Sequence, residues 1–211
     1  MDPFNYMKNA IITGEYKPGK RLTEEALAKE LNMSRTPIRE AINQLKNDGL
    51  VTPLKRGVVV REFTKHDVLQ IYDLRALLEG YAASQAASYR SLDDIEKMMV
   101  TNQNYREVIR DLNDENRSSK VPSIVQANQA FHKSILEASN NDYISFHLSK
   151  AVVIPLVFQS FSWYSISEIN RSFEVHETIL SAIERQESER AKIAMQEHIY
   201  TGRDHVLKHI D

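Results

Sequence analysis

Residues 32–51 read NMSRTPIREAINQLKNDGLV, and the fold is decided by how this stretch is read. Ile38, Ala41, Ile42 and Leu45 recur at i, i+3, i+4 and i+7, the spacing of one buried stripe on an amphipathic helix. Arg35, Arg39, Asn43 and Lys46 then share a flank turned away from that stripe. Either Ser34 or Thr36 caps the helix, and Pro37 is tolerated because first-turn N–H groups have no helical partner. Gly49 is placed as the residue that stops it. Taken alone, the polar flank is a solvated surface. Its context decides otherwise.

Upstream, Thr23 is an N-cap for a helix over 24–31, with acids in its first turn, and Asn32-Met33 makes a short turn. A first helix runs from 4 to about 13 and ends at Gly14; EYKPGKRL is then a turn-rich connector. Downstream, β-rich runs at 51–54 and 58–61 flank Lys55-Arg56-Gly57, a hairpin with a basic tip. Three helices and a small hairpin predict a winged helix-turn-helix over residues 1–63. In that motif the second helix enters the major groove, with its N-terminal residues on base edges. Arginine reads guanine there, and Ser or Thr hydroxyls hold phosphates.

The whole chain sets the bounds. It has 211 residues, 42% hydrophobic and 27% charged, enough for a proper core in one or two domains. Absence of cysteine excludes disulfides and thiolate metal sites and points to a reducing, cytoplasmic compartment. No apolar run is long enough to span a bilayer, and the first residues do not read as a secretory signal. Net charge is −2, but residues 1–63 hold 11 Lys/Arg against 8 Asp/Glu, whereas the remainder holds 16 against 21. Only the front of the chain is suited to a polyanion.

Beyond residue 64 strand signals vanish. Helical patterns over 65–89, 92–116, 122–138, 142–163, 167–186 and 188–208 predict an antiparallel six-helix bundle, with Pro155 kinking or shortening the fourth. Three histidines fall on inward stripes of three different helices: His132, His176 and His198. Asn128 lies four residues before His132, on the same face. The plain reading makes each a hydrogen-bonded core histidine; the alternative is a shared metal site, of a kind bundles build from inward side chains. Arg75 occupies an apolar stripe with Val68, Ile71, Leu78 and Ala82. A buried arginine needs an anion, so it either pairs with an acid such as Glu79 or clamps a carboxylate ligand. Trp163 and Tyr164 are pocket walls or core, and His205 is the remaining histidine best placed to approach the site.

PGKRLTEEALAKELNMSRTPIREAINQLKNDGLV, followed by a glycine-tipped wing, resembles the DNA-binding domain of GntR-family bacterial transcription regulators. The resemblance implies that Ser34, Arg35, Thr36 and Arg39 contact bases or phosphates, and that Lys55, Arg56 and Gly57 approach the minor groove. Where some members carry a DNA-contacting arginine in the second helix, this chain has Glu25. LRALLE, YAASQAAS, NQAFHKSILEASNN, His176 and MQEHI resemble the FCD-type ligand-binding domain of the same regulators. Members with a metal use an Asp four residues before a His and two later His. His132, His176 and His198 match, while Asn128 stands at the Asp position. That implies Zn²⁺, Ni²⁺ or a similar ion, with Arg75 lining the effector pocket. The expected molecule is a homodimeric regulator, a repressor, that reads an inverted repeat of double-stranded DNA under control of a small carboxylate bound by residues 64–211. A structural metal, a metal-free acyl-CoA-type pocket and a metal-dependent hydrolase are the competing readings.

Overall fold

The structure, a computed structural model, describes residues 2–151 and 154–210, with side chains described outside 149–156, 158 and 159. Among these residues there are ten helices and one three-stranded sheet. The chain divides into two compact units: Met1–Thr64 with Val153–Gln159, and Lys65–Val152 with Ser160–Asp211.

In the first unit, α1 (Pro3–Ile12) starts on Asp2, whose carboxylate accepts from the Phe4 and Asn5 backbone N–H groups. Helix α2 (Glu24–Glu30) is capped by the Thr23 hydroxyl, and α3 (Arg35–Asn47) follows after Asn32, which takes the left-handed φ of +50° that the tight turn requires. Ser34 is the N-cap of α3, yet its side chain makes no capping hydrogen bond, so the expected hydroxyl cap is absent. The predicted stripe is the core face: Ile38, Ala41, Ile42 and Leu45 are all buried, as are Met7, Ile11, Leu27 and Leu50.

The wing has one strand more than the sequence suggested. Strand β1 (Arg21–Leu22) comes from the connector and pairs antiparallel with β3 (Val58–Val60), which pairs in turn with β2 (Val51–Pro53). Two residues are too few for a periodic signal, hence the omission. Pro53, with no N–H, sits on the outer strand, where proline is tolerated. The extra strand fixes the basic tip. Arg21 Nη2 donates to the Arg56 carbonyl at 2.9 Å, and Gly57, at φ +82°, passes so close to Leu22 that a Cβ there would lie 2.3 Å from its carbonyl oxygen.

Among the described residues, the second unit contains helices and no strand. Helix α4 (Lys65–Tyr89) packs most extensively on α10 (Ser188–Leu207), with Gly80 allowing Gln196 to approach. Helix α5 (Leu92–Ile109) packs on α6 (Arg117–Ala138), and α9 (Ile166–Glu184) fits between α5 and α10. Capping boxes open α5 (Ser91/Asp94) and α9 (Ser165/Glu168). Seven helical segments appear where six patterns were expected. The 142–163 pattern divides into α7 (Asp142–Ala151) and α8 (Ile154–Trp163); the junction at 152–153 and the Pro155 side chain lie outside the described residues. Helix α6 also starts earlier than expected, with Pro122 inside it rather than at a break.

Replacing Gly57 by Ala combines left-handed backbone strain with a backbone collision. The expected loss is about 1–3 kcal/mol of stability. Gly14→Ala, with a similar φ of +79° but open space around it, is expected to lose less. Urea unfolding of both variants checks the order.

Candidate functional site

Four helices deliver the polar cluster at the centre of the bundle. Helix α4 supplies Arg75 and Glu79, α6 supplies Asn128 and His132, α9 supplies His176, and α10 supplies His198. His132 Nε2 and His176 Nε2 each lie 3.2 Å from His198 Nε2. His132 and His176 are buried and His198 is half-buried. The three predicted histidines are therefore brought together through the same ring atom.

The tautomers follow from the surroundings. Glu79 Oε2 lies 2.5 Å from His132 Nδ1, and Glu79 Oε1 accepts from Arg75 Nε at 2.9 Å. Burial works to raise the Glu79 carboxyl, but the Arg75 guanidinium and the His132 ring outweigh it and hold it at about 2. An ionised carboxylate only accepts, so His132 carries a proton on Nδ1 and turns Nε2 toward His198. His198 has one Nε2 and faces two nitrogens with it. A single ring nitrogen, with either one proton or one lone pair, does not serve both contacts well. Burial, followed by the neighbouring histidines, pushes the His176 ring well below its ordinary range, and burial with His132 takes His198 down to about 3. Both are neutral at ordinary pH.

A cation resolves this geometry. At Zn–N distances of 2.0–2.1 Å, tetrahedral ligands stand about 3.4 Å apart and octahedral ones about 2.9 Å. The two 3.2 Å separations fall between these values. Asn128 Oδ1 is buried without a hydrogen-bond partner, an orphan acceptor consistent with a ligand position. The residues present fit a divalent ion. His176 departs from the usual arrangement, in which the second ring nitrogen of a ligating histidine is hydrogen-bonded: its Nδ1 has no partner, and its ring is held by stacking on Phe131 at 4.2 Å between centroids.

Arg75 makes the acid pair foreseen for it, and its guanidinium also lies over the Tyr72 ring. Glu79 is the residue the sequence undervalued. It was legible as a partner for Arg75, but its contact with His132 depends on the packing of α4 against α6. His198 opens onto a cleft of about 350 Å³ between α9 and α10, which Tyr164, Glu168, Ser172 and His205 also line. Trp163 and Tyr164 line a neighbouring cleft of about 670 Å³.

In the first unit, Ser34, Arg35, Thr36 and Arg39 are all exposed at the start of α3, and Lys55 and Arg56 are exposed at the wing tip. Two of them are not free. Arg39 donates from Nε and Nη2 to both oxygens of Glu24, each at 3.0 Å, and Arg35 Nη2 stands 3.7 Å from Glu25. The Glu24 pairing went unnoticed in the sequence because the two residues are 15 apart and on different helices.

The family models match both units. "Bacterial regulatory proteins, gntR family" matches residues 4–60, and "FCD domain" matches residues 70–201. The chain belongs to the GntR family of bacterial transcription regulators, with an FCD domain. It is 26% identical to the HTH-type transcriptional regulator YdhC of Bacillus subtilis over 98% of this chain and 90% of that one. It is 24% identical to the HTH-type transcriptional repressor GlaR of Escherichia coli over 95% and 92%. Among solved structures, E. coli McbR/YncC superposes with a TM-score of 0.79 at 20% identity, covering 98% of this chain and 96% of that one, a likeness of fold. GntR regulators bind DNA and small-molecule effectors, and the relatives matched are regulators, which sets the hydrolase reading aside. No helix among the described residues is long and apolar enough to cross a membrane.

Glu79 and Arg75 form a buried pair, so removing one partner strands the other. Glu79→Ala is expected to cost about 3–5 kcal/mol in unfolding free energy. The double variant Arg75→Met/Glu79→Leu should recover part of that loss. Equal losses in the single and double variants would show that the ion pair is not what the site depends on.

Proposed function

We propose that this protein is a metal-dependent, effector-controlled repressor acting as a homodimer. The observation that carries the reading is the convergence of the three Nε2 atoms of His132, His176 and His198, two of the separations being 3.2 Å. These atoms with Asn128 Oδ1 would hold Zn²⁺ or Ni²⁺, since imidazole and amide donors suit borderline ions. The ion would supply a Lewis-acid anchor for a carboxylate. Glu79 orients His132, and Arg75 supplies a directional donor for the acid's second oxygen. A metal held only for structure is less favoured, because His198 is half-buried beside a cleft large enough for a small acid.

Residues 64–211 would bind effector and dimerise, and residues 1–63 would bind DNA. Helix α4 supports the dimer. Its inner face is buried through Val68, Tyr72, Ala76, Ala83 and Ala86, yet Leu74, Leu77 and Tyr81, spaced by three and four, stand exposed on the outer face. A helix apolar on both faces calls for a partner on each. Two copies would set two α3 helices on an inverted repeat. Arg35, Thr36 and Arg39 would read bases and phosphates, Ser34 would add a phosphate contact, and Lys55, Arg56 and Gly57 would follow the minor groove. A carboxylate bound in one arrangement of the dimer would bias operator affinity by its differential affinity.

Metal analysis of purified protein should find about one divalent ion per chain, and close to none in His132→Ala. Equal content in both would sink the site. Arg39→Ala should weaken binding to DNA selected by the wild-type protein from a randomised library by about tenfold or more, at about 1–3 kcal/mol per lost bidentate contact. Unchanged selectivity would remove the reading role.

A further inference from the structure

His205 stands outside the proposed metal cluster. It is 7% exposed, and its Nε2 is buried without a hydrogen-bond partner. Its Nδ1 lies 3.3 Å from Glu168 Oε1. That carboxylate is fixed, because Glu168 Oε2 closes the capping box of α9, accepting from the Ser165 N–H and hydroxyl, each at 2.8 Å. Those Ser165 hydrogen bonds outweigh burial and hold the Glu168 carboxyl below its usual range, while burial first of all lowers the His205 ring. The pair is thus a carboxylate and a neutral imidazole. The carboxylate can only accept, so the imidazole proton sits on Nδ1 and Nε2 is left as a bare acceptor. Tyr164 packs edge-on against the ring at 4.3 Å between centroids and helps hold it.

A buried acceptor without a partner costs about 1–3 kcal/mol. His205 lines the same cleft as His198, and the neighbouring larger one as well. His198 and His205 are seven residues apart on α10, two turns, about 10 Å along the axis. We propose that His205 Nε2 is the distal recognition point of the effector site and accepts a hydrogen bond from the ligand. The effector is then a carboxylate whose acid group faces the metal cluster and whose hydroxyl or amino donor sits several carbons away. A short α-hydroxy acid does not reach. A plain monocarboxylate leaves the acceptor unanswered, and a dicarboxylate ionised at its far end brings an acceptor against an acceptor. This inference rests on the effector reading above.

The test uses the full-length, zinc-loaded protein and titrates pentanoate, its ω-hydroxy and ω-amino derivatives, glutarate and lactate by calorimetry. The ω-hydroxy and ω-amino acids should bind about tenfold more tightly than pentanoate, the worth of one hydrogen bond to a buried acceptor. His205→Phe keeps the ring and its packing on Tyr164 but removes the acceptor; it should bind all of them as weakly as pentanoate. His205→Gln, which returns an acceptor oxygen, should restore part of the preference and covers a Phe variant that does not fold. If carboxylates bind without ω-preference, or if His205→Phe keeps the preference, the role of His205 is overturned and the effector reading survives. If no carboxylate binds the wild-type protein, both fall.

Discussion

Both oxygens of one buried carboxylate are committed: Glu79 accepts from Arg75 with one and meets His132 with the other. The central cluster follows from that double commitment. Glu79 can stay ionised in the bundle interior because Arg75 is one turn away on the same helix and His132 offers a proton from the next. His132 in turn is oriented by Glu79 through Nδ1, which aims Nε2 at His198. His176 and His198 are neutral because burial and their mutual proximity make a charge there costly. A core with three bare or half-shared nitrogens is held together by the helices around it, not by the nitrogens. The α4–α10 contact, opened by Gly80, brings His198 within reach of His132, and Phe131 stacks under His176.

The first unit presents a different problem, because the side chains proposed to contact DNA are exposed. Arg39 is clamped on both oxygens of Glu24, and Arg35 is close to Glu25. Exposed pairs of this kind contribute about 0–1 kcal/mol, so another anionic partner, such as the proposed DNA, would displace them at little cost. The Glu24 clamp takes Nε and Nη2 of Arg39 and leaves the Nη1 side of the fork facing solvent. The wing is positioned more firmly. Arg21 holds the Arg56 carbonyl and Gly57 rests against the Leu22 backbone, so the basic tip is fixed by the strand that the sequence concealed.

What could be read from the sequence, and what could not, divides along physical lines. The α3 stripe was legible because 3.6-residue periodicity over four apolar positions has one solution. The three inward histidines were legible for the same reason, each on the buried face of its own helix. Strand β1 was not, because two residues carry no period and the pairing with Val58 and Val59 is long-range. The start of α6 was misplaced because Pro122 is a breaker in isolation; five residues of helix precede it, and tertiary packing keeps them helical. The pairings Glu24–Arg39 and Glu79–His132 join residues 15 and 53 apart, a separation at which sequence offers partners by type but not by position.

Asn128 is the position where this chain's own chemistry departs from the metal-binding pattern it resembles. Three neutral imidazoles and a neutral amide cancel none of a divalent ion's charge, whereas an aspartate would cancel one unit. In the proposed centre the missing negative charge would have to come from the ligand, since the Glu79 carboxylate is already paired with Arg75. The ion then provides the electrostatic attraction, and Arg75 contributes direction rather than net charge. A carboxylate fits that division of labour, because one oxygen can meet the ion while the other meets a guanidinium nitrogen. The same substitution lowers the intrinsic hold on the metal, because an amide oxygen is a weaker donor than a carboxylate oxygen. In the proposed centre, metal and acid would therefore bind with positive coupling. Each supplies the charge the other lacks, and by linkage the acid must tighten the metal by the same factor as the metal tightens the acid.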